Sequence, residues 1–567
     1  MRTTKARFKY TLRQCRSLEE QKSLDAVAAK LLTKDTRGFW KSVKMHNSAN
    51  FNPAASRIAG VSGDINICDF WMEHFKSILS SCSDFSKQSD VLNSLKSVSN
   101  IVPFNASDIE QAFKTLKRGK SSGKDGISCE HLIYCHSSIF IILEVFFNSL
   151  FTHNYIPTGL LDTVIVPLIK DKKGDITDCD NYRPIALTCV LSKVLESLIL
   201  FRCQCLLSTS SHQFGFKAKH GTDQCVYVLK EVIDFYYHNS SSPVYLCFMD
   251  AFKAFYRVNH FCLLSKLLKR NIPVLIVRLL LTWFSTQQFV VKWLSCISKP
   301  FHVKNGVRQG GVLSPILFNV FMDNLSVELN KANIGCSIDT VFYNHLFYAD
   351  DSVLIAPSPV ALQKLINICE EYAISNDILY NTKKPVCMCF LPKVLQNCDI
   401  PGITLNDSNL EWVLEYKYLG IFISSNLCDS RDIKRQLRSI YARGNTLVRK
   451  FGKCTDQVKL ELFRSYCSNF YCCQLWSNYT TAMYNNIRVA YNNTFRFLMK
   501  IRGRHSISNS FVQSNIDGFT VIHRKSASSF YIRLVQSENI LIKTIVSSVH
   551  FVTMSSRLGK TWKKLMF

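Results

Sequence analysis

The sequence predicts an α+β fold flanked by helical regions, and three observations carry that expectation. From Leu160 onward, short β-rich runs ("DTVIVPLIK", "VYLCFMDAF", "FVVKWL", "HLFYADDSVLIA", "KYLGIFIS") alternate with helical segments over 187–208, 222–238, 257–271, 313–332 and 358–376. The chain before about residue 45 and after about Ser430 instead repeats apolar residues at helical spacing among lysines and arginines. Over 567 residues, 47% are hydrophobic and 12% aromatic, which is enough for a large core and for roughly two to four domains.

Taken in order, residues 1–45 ("LEEQKSLDAVAAKLLTKDTRGFW" within them) read as one or two amphipathic helices with a basic face. Residues 46–65, rich in Asn, Ser, Ala and Gly, read as a loop, and 66–100 as helix followed by a serine-rich stretch. A capped helix follows Asn105, with Ser107 as N-cap and Glu110 three residues on; it ends in the Gly/Ser/Lys loop 119–126. The run "IFIILEVFFNSLF" is short and carries Glu144 and Asn148, so it predicts a buried helix and not a membrane span. Leu313-Ser314-Pro315 opens a further helix, with Ser314 as N-cap and Pro315 at the first helical position. "RDIKRQLRSIYARGNTLVRKF" and "KLELFRSYCSNFYCCQLW" are helical and basic, and no internal repeat is visible.

The 69 Lys and Arg outweigh the 42 Asp and Glu, a formal net charge of +27. An excess of that size implies a polyanionic partner. The basic N-terminus has no apolar core of a secretory signal and no clean run of 18 apolar residues occurs, so nucleic acid is expected and a membrane is not. The 23 cysteines are scattered, without paired C-x2-C spacing or a Cys/His cluster. Zinc and a disulfide framework are therefore not expected; free thiols in a reducing compartment are. The expected location is intracellular, cytoplasm and nucleus, and sequons such as Asn478-Tyr-Thr are read as chance matches.

Three features carry chemistry. Asp350 and Asp351 sit between the runs "HLFYA" and "SVLIA". Adjacent side chains in a strand point to opposite faces, so both carboxylates serve one place only from a turn. Such a pair suits hard divalent cations, and a third carboxylate is required from elsewhere. Asp250 is the candidate, closing the apolar strand "VYLCFM". The third feature is "NGVRQGGVLSPILFN", where Gly310-Gly311 permits close backbone approach.

In that order and at those spacings, Asp250, the Arg-Gln-Gly-Gly loop and the Asp-Asp hairpin resemble a reverse transcriptase palm. The chain resembles the polymerase region of a non-LTR (LINE-type, jockey-like) retrotransposon over nearly its whole length. "KRGKSSGKDGI", "VIVPLIKDKKGDITDCDNYRPIALTCVLSKVLE", "HQFGFKAKHGTDQ", "YNTKKPVCMCF" and "YKYLGIFI" match further family motifs in sequence order. The resemblance implies a right-hand polymerase: a helical basic extension over 1–103, fingers and palm over 104–424 (core 150–424), and a helical thumb and C-terminal region over 425–567. It implies an RNA-directed DNA polymerase that extends a primer 3′-OH with dNTPs on an RNA template. Its partners would be the RNA template, the DNA primer and their RNA–DNA hybrid.

By the same resemblance, Asp250, Asp350 and Asp351 bind two Mg²⁺ ions, with Mn²⁺ as a substitute, in a two-metal displacement, and Asp350 lies nearer both ions than Asp351. Lys170 and Arg183 match finger positions that meet the incoming nucleotide or template. Phe255 matches an aromatic that packs under the sugar and excludes a 2′-OH, and Gln309 and Gly310 match the loop against the templating base. Lys384 matches a lysine that serves as general acid to pyrophosphate. Tyr418, Leu419 and Gly420 match the primer grip, whose turn spans Tyr416 to Gly420.

The sequence departs from the family pattern at Tyr256, where an acid usually follows the Ala-Phe pair, and at Pro385, where Ser or Thr is usual. It opens at Met1 without the endonuclease that precedes this polymerase in full elements, and no Cys/His knuckle closes it. The expectation is a product that polymerises without nicking its own target. Two alternatives stand beside it: a catalytically weakened nucleic-acid-binding relic, and a terminal transferase of the same fold. Oligomeric state is left open.

Overall fold

A computed structural model describes residues 2–33, 35, 38–39, 42, 55–81, 86–96, 102–172, 174–251, 253–381, 384–392, 399–503 and 505–566. The expected loop at 46–65 and the serine-rich stretch before residue 100 fall partly outside these residues. Within them, a two-strand hairpin pairs Arg57–Ile58 with Val61–Ser62.

The N-terminal region holds helices α1 (Arg2–Leu32), α2 (Asp64–Ile78), α3 (Ala106–Lys114) and α4 (Ser138–His153). Residues 3–19 of α1 are exposed, and only its later part packs, with Val27 buried and Asp25 accepting the Thr455 N–H at 3.0 Å. The cap of α3 is Asn105, not Ser107: Asn105 and Asp108 exchange side-chain-to-backbone bonds in a full capping box. That assignment satisfies two N–H groups, where the Ser107/Glu110 pairing would begin the helix a half-turn late. Helix α4 is half-buried, unlike the expectation: Phe147 and Leu150 face inward, while Ile141, Ile142 and Val145 are exposed.

Two sheets follow. Strands β1 (Thr163–Ile169) and β2 (Tyr182–Thr188) pair antiparallel, then the chain runs through α5 (Val190–Cys203) and α6 (Thr222–Asp234) into β3 (Val244–Asp250). Helices α7 (His260–Lys269) and α8 (Val274–Thr286) lead to β4 (Gln288–Trp293), which pairs parallel with β1 and completes the first sheet with two short strands. After α9 (Ser314–Lys331) come β5 (His345–Tyr348), β6 (Asp351–Ala356), α10 (Pro359–Asn376), β7 (Val386–Phe390) and β8 (Glu411–Trp412). The second sheet has the order β5-β6-β3-β7-β8. A separate hairpin, β9 (Glu415–Tyr418) and β10 (Ile421–Ser424), turns at Leu419-Gly420. Both turn residues have positive φ, 45° and 84°, as a tight two-residue hairpin demands.

The second sheet is buried on both faces, and the period-2 alternation of β3 shows how. Tyr245, Cys247 and Met249 pack into one core with α3 to α5 and α7 to α10. Val244, Leu246 and Phe248 pack into another with α6, the β9–β10 hairpin and the C-terminal helices. Those last are α11 (Ser430–Phe451), α12 (Asp456–Tyr466), α13 (Thr481–Met499), α14 (Phe519–Val535), α15 (Ile540–Ser547) and α16 (Arg557–Met566). They divide in two: α11 to α13 share a core of their own, and α14 bridges from it to α15 and α16, which lie behind the second sheet. The stretch 425–567, expected as one helical unit, therefore serves two cores. Among the described residues no helix is long and apolar enough to cross a membrane.

Candidate active site

Asp250 ends β3 and Asp351 begins β6, and the antiparallel register sets them opposite each other. Directly opposed residues put their side chains on one face of a sheet. Asp350 occupies the turn just before Asp351, reached through Ala349 at φ 60°. A non-glycine residue holds that conformation only where its surroundings fix it. Gln213 Oε1 does so, accepting the Ala349 N–H at 2.9 Å and the Gly215 N–H at 2.8 Å. Asn319 Nδ2 donates to the Gly215 carbonyl at 2.8 Å. A Cβ on Gly215 would stand 2.4 Å from the Ala349 nitrogen, so this crossing tolerates only glycine.

Burial and crowding raise the pKa values of Asp350 and Asp351. Burial first, then the neighbouring Asp250, lifts Asp350; burial, then Asp350 and Asp250, pushes Asp351 up to about 6. Three carboxylates gathered against their own repulsion form a hard-oxygen donor set of the kind Mg²⁺ takes. Asp250 and Asp350 line an open cavity of about 570 Å³, whereas Asp351 lies outside its lining.

The cavity wall mixes charges, with Asp171, Asp175, Asp178 and Asp180 among its cations, and collects most of the expected site residues: Lys170, Arg183, Phe255, Gln309 and Lys384, joined by Lys253 and Tyr256. Lys384 Nζ bonds Asp250 Oδ2 at 2.8 Å. Lys170 Nζ donates to the Asp180 carbonyl at 2.7 Å, and Lys253 pairs with the Asp180 carboxylate at 3.1 Å. Arg183 stands exposed at the rim. Phe255 lies flat on Phe318, centroids 4.4 Å apart, with Phe216 edge-on at 5.9 Å.

Gln309 and Gly310 lie against β2, where the Ala186 N–H donates to the Gln309 carbonyl at 2.8 Å. Gly310 has φ +126°, and a Cβ there would meet the Ala186 oxygen at 2.6 Å. Glu196 holds this loop from beneath: it pairs with Arg308 and accepts the Val312 and Leu313 N–H groups, the latter at 2.8 Å. Leu313 rather than Ser314 is thus the N-cap of α9, and Pro315 falls one position later than expected. The buried Glu196 carboxylate thus takes the two N–H groups just before the helix and puts negative charge at its N-terminus, where the helix dipole favours it.

Tyr256, the departure from the family pattern, is neither stranded nor loose. Its hydroxyl donates to Gln309 Oε1, and its carbonyl accepts from Asn305 Nδ2 at 2.5 Å. Burial pushes its phenol well up. Of the expected primer-grip residues, Leu419 and Gly420 form the partly exposed turn, while Tyr418 is buried with its hydroxyl 3.5 Å from Cys225 Sγ. Tyr418 anchors the hairpin and does not present itself at the surface. Sequence reasoning missed Lys253, Asp180, Glu196 and Gln213. Only Glu196 left a signal, a lone acid in the apolar run "VLESLIL".

The family described as reverse transcriptase (RNA-dependent DNA polymerase) matches residues 169–423, the span from the end of β1 to β10. Over that span the chain is similar to reverse transcriptases. Its relatives include the RNA-directed DNA polymerase from mobile element jockey of Drosophila funebris, 28% identical over 421 residues, covering 71% of this chain and 44% of the relative. The jockey protein of Drosophila melanogaster is 26% identical, covering 69% and 43%. The probable RNA-directed DNA polymerase from transposon X-element of the same fly is 26% identical, covering 74% and 47%. The chain thus spans less than half the length of these relatives. Among solved structures, apo telomerase from Candida tropicalis aligns with TM-score 0.37 and 13% identity, covering 72% of this chain and 74% of that one. The similarity expected from the sequence is found: the chain resembles the RNA-directed DNA polymerases of mobile elements such as jockey and the X-element. The α+β core with a helical N-terminal region is the fold class that the sequence predicts.

Proposed function

We propose that the protein is an RNA-directed DNA polymerase that adds dNTPs to a primer 3′-OH on an RNA template. The observation that carries this reading is the opposition of Asp250 and Asp351 across β3 and β6, with Asp350 in the adjoining turn at a cavity walled by Lys170, Arg183, Lys253 and Lys384. In this reading the second sheet is the palm, the first sheet with α2 the fingers, and α11 to α13 the thumb.

Asp250, Asp350 and Asp351 would hold two Mg²⁺ ions, which would supply activation of the 3′-hydroxyl and neutralisation of the triphosphate and departing pyrophosphate. The chain's own residues position the reactants. Lys170 and Arg183 bind triphosphate oxygens or the template, Arg183 with a fork suited to two oxygens. Lys384, tied to Asp250 at 2.8 Å, gives a proton to the departing pyrophosphate oxygen in this reading. Phe255, held flat by Phe318, sets the floor beneath the sugar. Gln309 and Gly310 bring backbone close to the templating base, and the Leu419-Gly420 turn holds the primer end.

The test is primer extension on an RNA template with Mg²⁺. Wild-type protein extends the primer. Asp350→Asn loses extension by at least about a thousandfold, while duplex binding, which rests on lysines and arginines elsewhere, persists. Extension by Asp350→Asn at the wild-type rate overturns the assignment.

A further inference from the structure

The cysteine and histidine spacing offers no zinc motif, yet the fold assembles one from residues 105 positions apart. His74 lies in the last turns of α2, and Cys179 and Asp180 lie in the single turn that precedes β2. One ligand atom from each residue, a ring nitrogen, a thiol sulfur and a carboxylate oxygen, lies within 4.8 Å of both others. His74 and Cys179 are half-buried and Asp180 is exposed, so the cluster opens to solvent on one side.

Both supports are rigid. Helix α2 is fixed by Trp71, whose ring lies 4.9 Å from Tyr182 and 6.1 Å from Trp293, and the rings of Phe70 and Phe75 flank His74 at 5.9 and 5.4 Å. The turn is fixed by Asp178, which accepts the Asp180 N–H at 2.9 Å. Asn181 adds to this by donating to the Asp171 and Asp175 carbonyls, each at 2.9 Å. The Asp180 carbonyl also receives Lys170.

Nitrogen, sulfur and oxygen donors together suit a borderline ion, and Zn²⁺ takes this mixture in a tetrahedron. Bonds of about 2.0–2.3 Å put tetrahedral ligands roughly 3.3–3.8 Å apart, so these atoms need close by no more than about 1.5 Å. Burial and the nearby Lys253 and Lys170 hold the His74 imidazole below its ordinary pKa, leaving a neutral ring with a free lone pair. Burial and the neighbouring Asp180 and Asp178 raise the Cys179 thiol, so metal uptake releases its proton. Lys253 pairs with Asp180 Oδ1 at 3.1 Å, and a carboxylate has two oxygens to share between a lysine and a metal. A thiolate and a carboxylate together offset the two charges of the ion. The hard-oxygen trio Asp250, Asp350 and Asp351 offers neither sulfur nor nitrogen and is a separate site.

We propose that His74, Cys179 and Asp180 bind one zinc ion, completed by water, which ties helix α2 to the rim of the nucleotide cavity.

The test uses the full chain, reduced and stripped of metal with a chelator, and titrated with Co²⁺ as a spectroscopic stand-in. Thiolate-to-cobalt absorption in the near ultraviolet is expected to saturate at one equivalent and to vanish on adding Zn²⁺. Cys179→Ser abolishes the band. His74→Gln and Asp180→Asn each weaken Zn²⁺ binding, read by competition with a chromophoric chelator, by about tenfold or more. Circular dichroism checks folding, and should Cys179→Ser fail to fold, the other two variants decide. Asp350→Asn keeps the band although it stops extension, which separates this site from the polymerase reading. No band in the wild-type protein overturns the proposal. So does an undiminished band in Cys179→Ser, or unchanged Zn²⁺ affinity in both His74→Gln and Asp180→Asn.

Discussion

Phe255 and Tyr256 are neighbours in the chain with separate tasks. Phe255 is clamped between Phe318 and Phe216, so its ring cannot swing from the cavity floor. Phe255→Val is expected to admit ribonucleotides while deoxynucleotide use continues; the readout is the ratio of the two incorporation efficiencies, and an unchanged ratio would mean that Phe255 is only core. Tyr256 instead fixes the Gln309 amide: its hydroxyl satisfies Oε1, which turns Nε2 away. Tyr256→Phe leaves that oxygen without its donor, a loss of about 1–2 kcal/mol in positioning. Single-nucleotide extension is then expected to slow roughly five- to thirtyfold with duplex affinity intact. Equal rates would show that the Gln309 orientation is immaterial.

Asp351 gives a pH dependence at the same scale. Its carboxyl is raised to about 6, so it is protonated below that pH and ionised above. Divalent binding requires the ionised form, and affinity for Mn²⁺, followed by paramagnetic resonance, should therefore rise as pH increases through about 6 and level off above it. A flat profile from pH 5 to 8 contradicts this.

At the scale of elements, α11 presents a basic face suited to a duplex backbone. Lys434, Arg438 and Arg449 are exposed and share one helical face with Tyr441. Arg435 does not join them: it is held by the buried Asp432, which also accepts Trp476 Nε1 at 2.9 Å and the Phe422 N–H at 3.2 Å. Reversing Lys434, Arg438 and Arg449 together should weaken primer–template binding and reduce the slope of log affinity against log salt by about two to three. A slope that does not change assigns the positive charge to another purpose.

How much of this was legible in the sequence depended on local signals. The strands β3, β5 and β6 announce themselves by apolar runs ended by aspartates, and α6, α9 and α10 fall within a few residues of their expected limits. Strand β2 did not, because "YRPIALT" carries Pro184 and merges into the helix after it. The structure accepts this proline because β2 is an edge strand, and Pro184 faces Pro167 where β1 has no second neighbour. Helix α8 escaped because "VLIVRLLLTWFST" is apolar nearly all round and gives no period. At the site, the three aspartates were legible from the motifs. Lys253, Asp180 and Gln213 were not, since what makes them relevant is a partner 73 to 136 residues away.

For the whole molecule, buried neutral histidines set an acid limit. His212, His260 and His523 are each lowered to about 4 by burial, and His345 is lowered as well. The unfolded chain takes up these protons near pH 6.5, before the folded one does. Stability is therefore whole above about 6.5 and is lost as pH falls toward 4, by up to about 3 kcal/mol for each such group. Thermal melts between pH 7 and 4 should show the fall, and His523→Gln should lessen it if that variant is folded at pH 7. A melting temperature independent of pH over that range contradicts the assignment.

The coverage of the second sheet bears on how the chain is made. Val244, Leu246 and Phe248 are sealed from behind partly by α15 and α16, and Trp562 is buried there, its ring 5.9 Å from Tyr227 and its Nε1 bonded to the Gln474 carbonyl at 2.9 Å. The strands bearing the aspartates are translated roughly two to three hundred residues ahead of these helices. A nascent chain thus carries an apolar sheet face open to water, and to chaperones, until residues 540–566 emerge. Translation that stops before residue 540 should yield every aspartate of the site and a protein that aggregates.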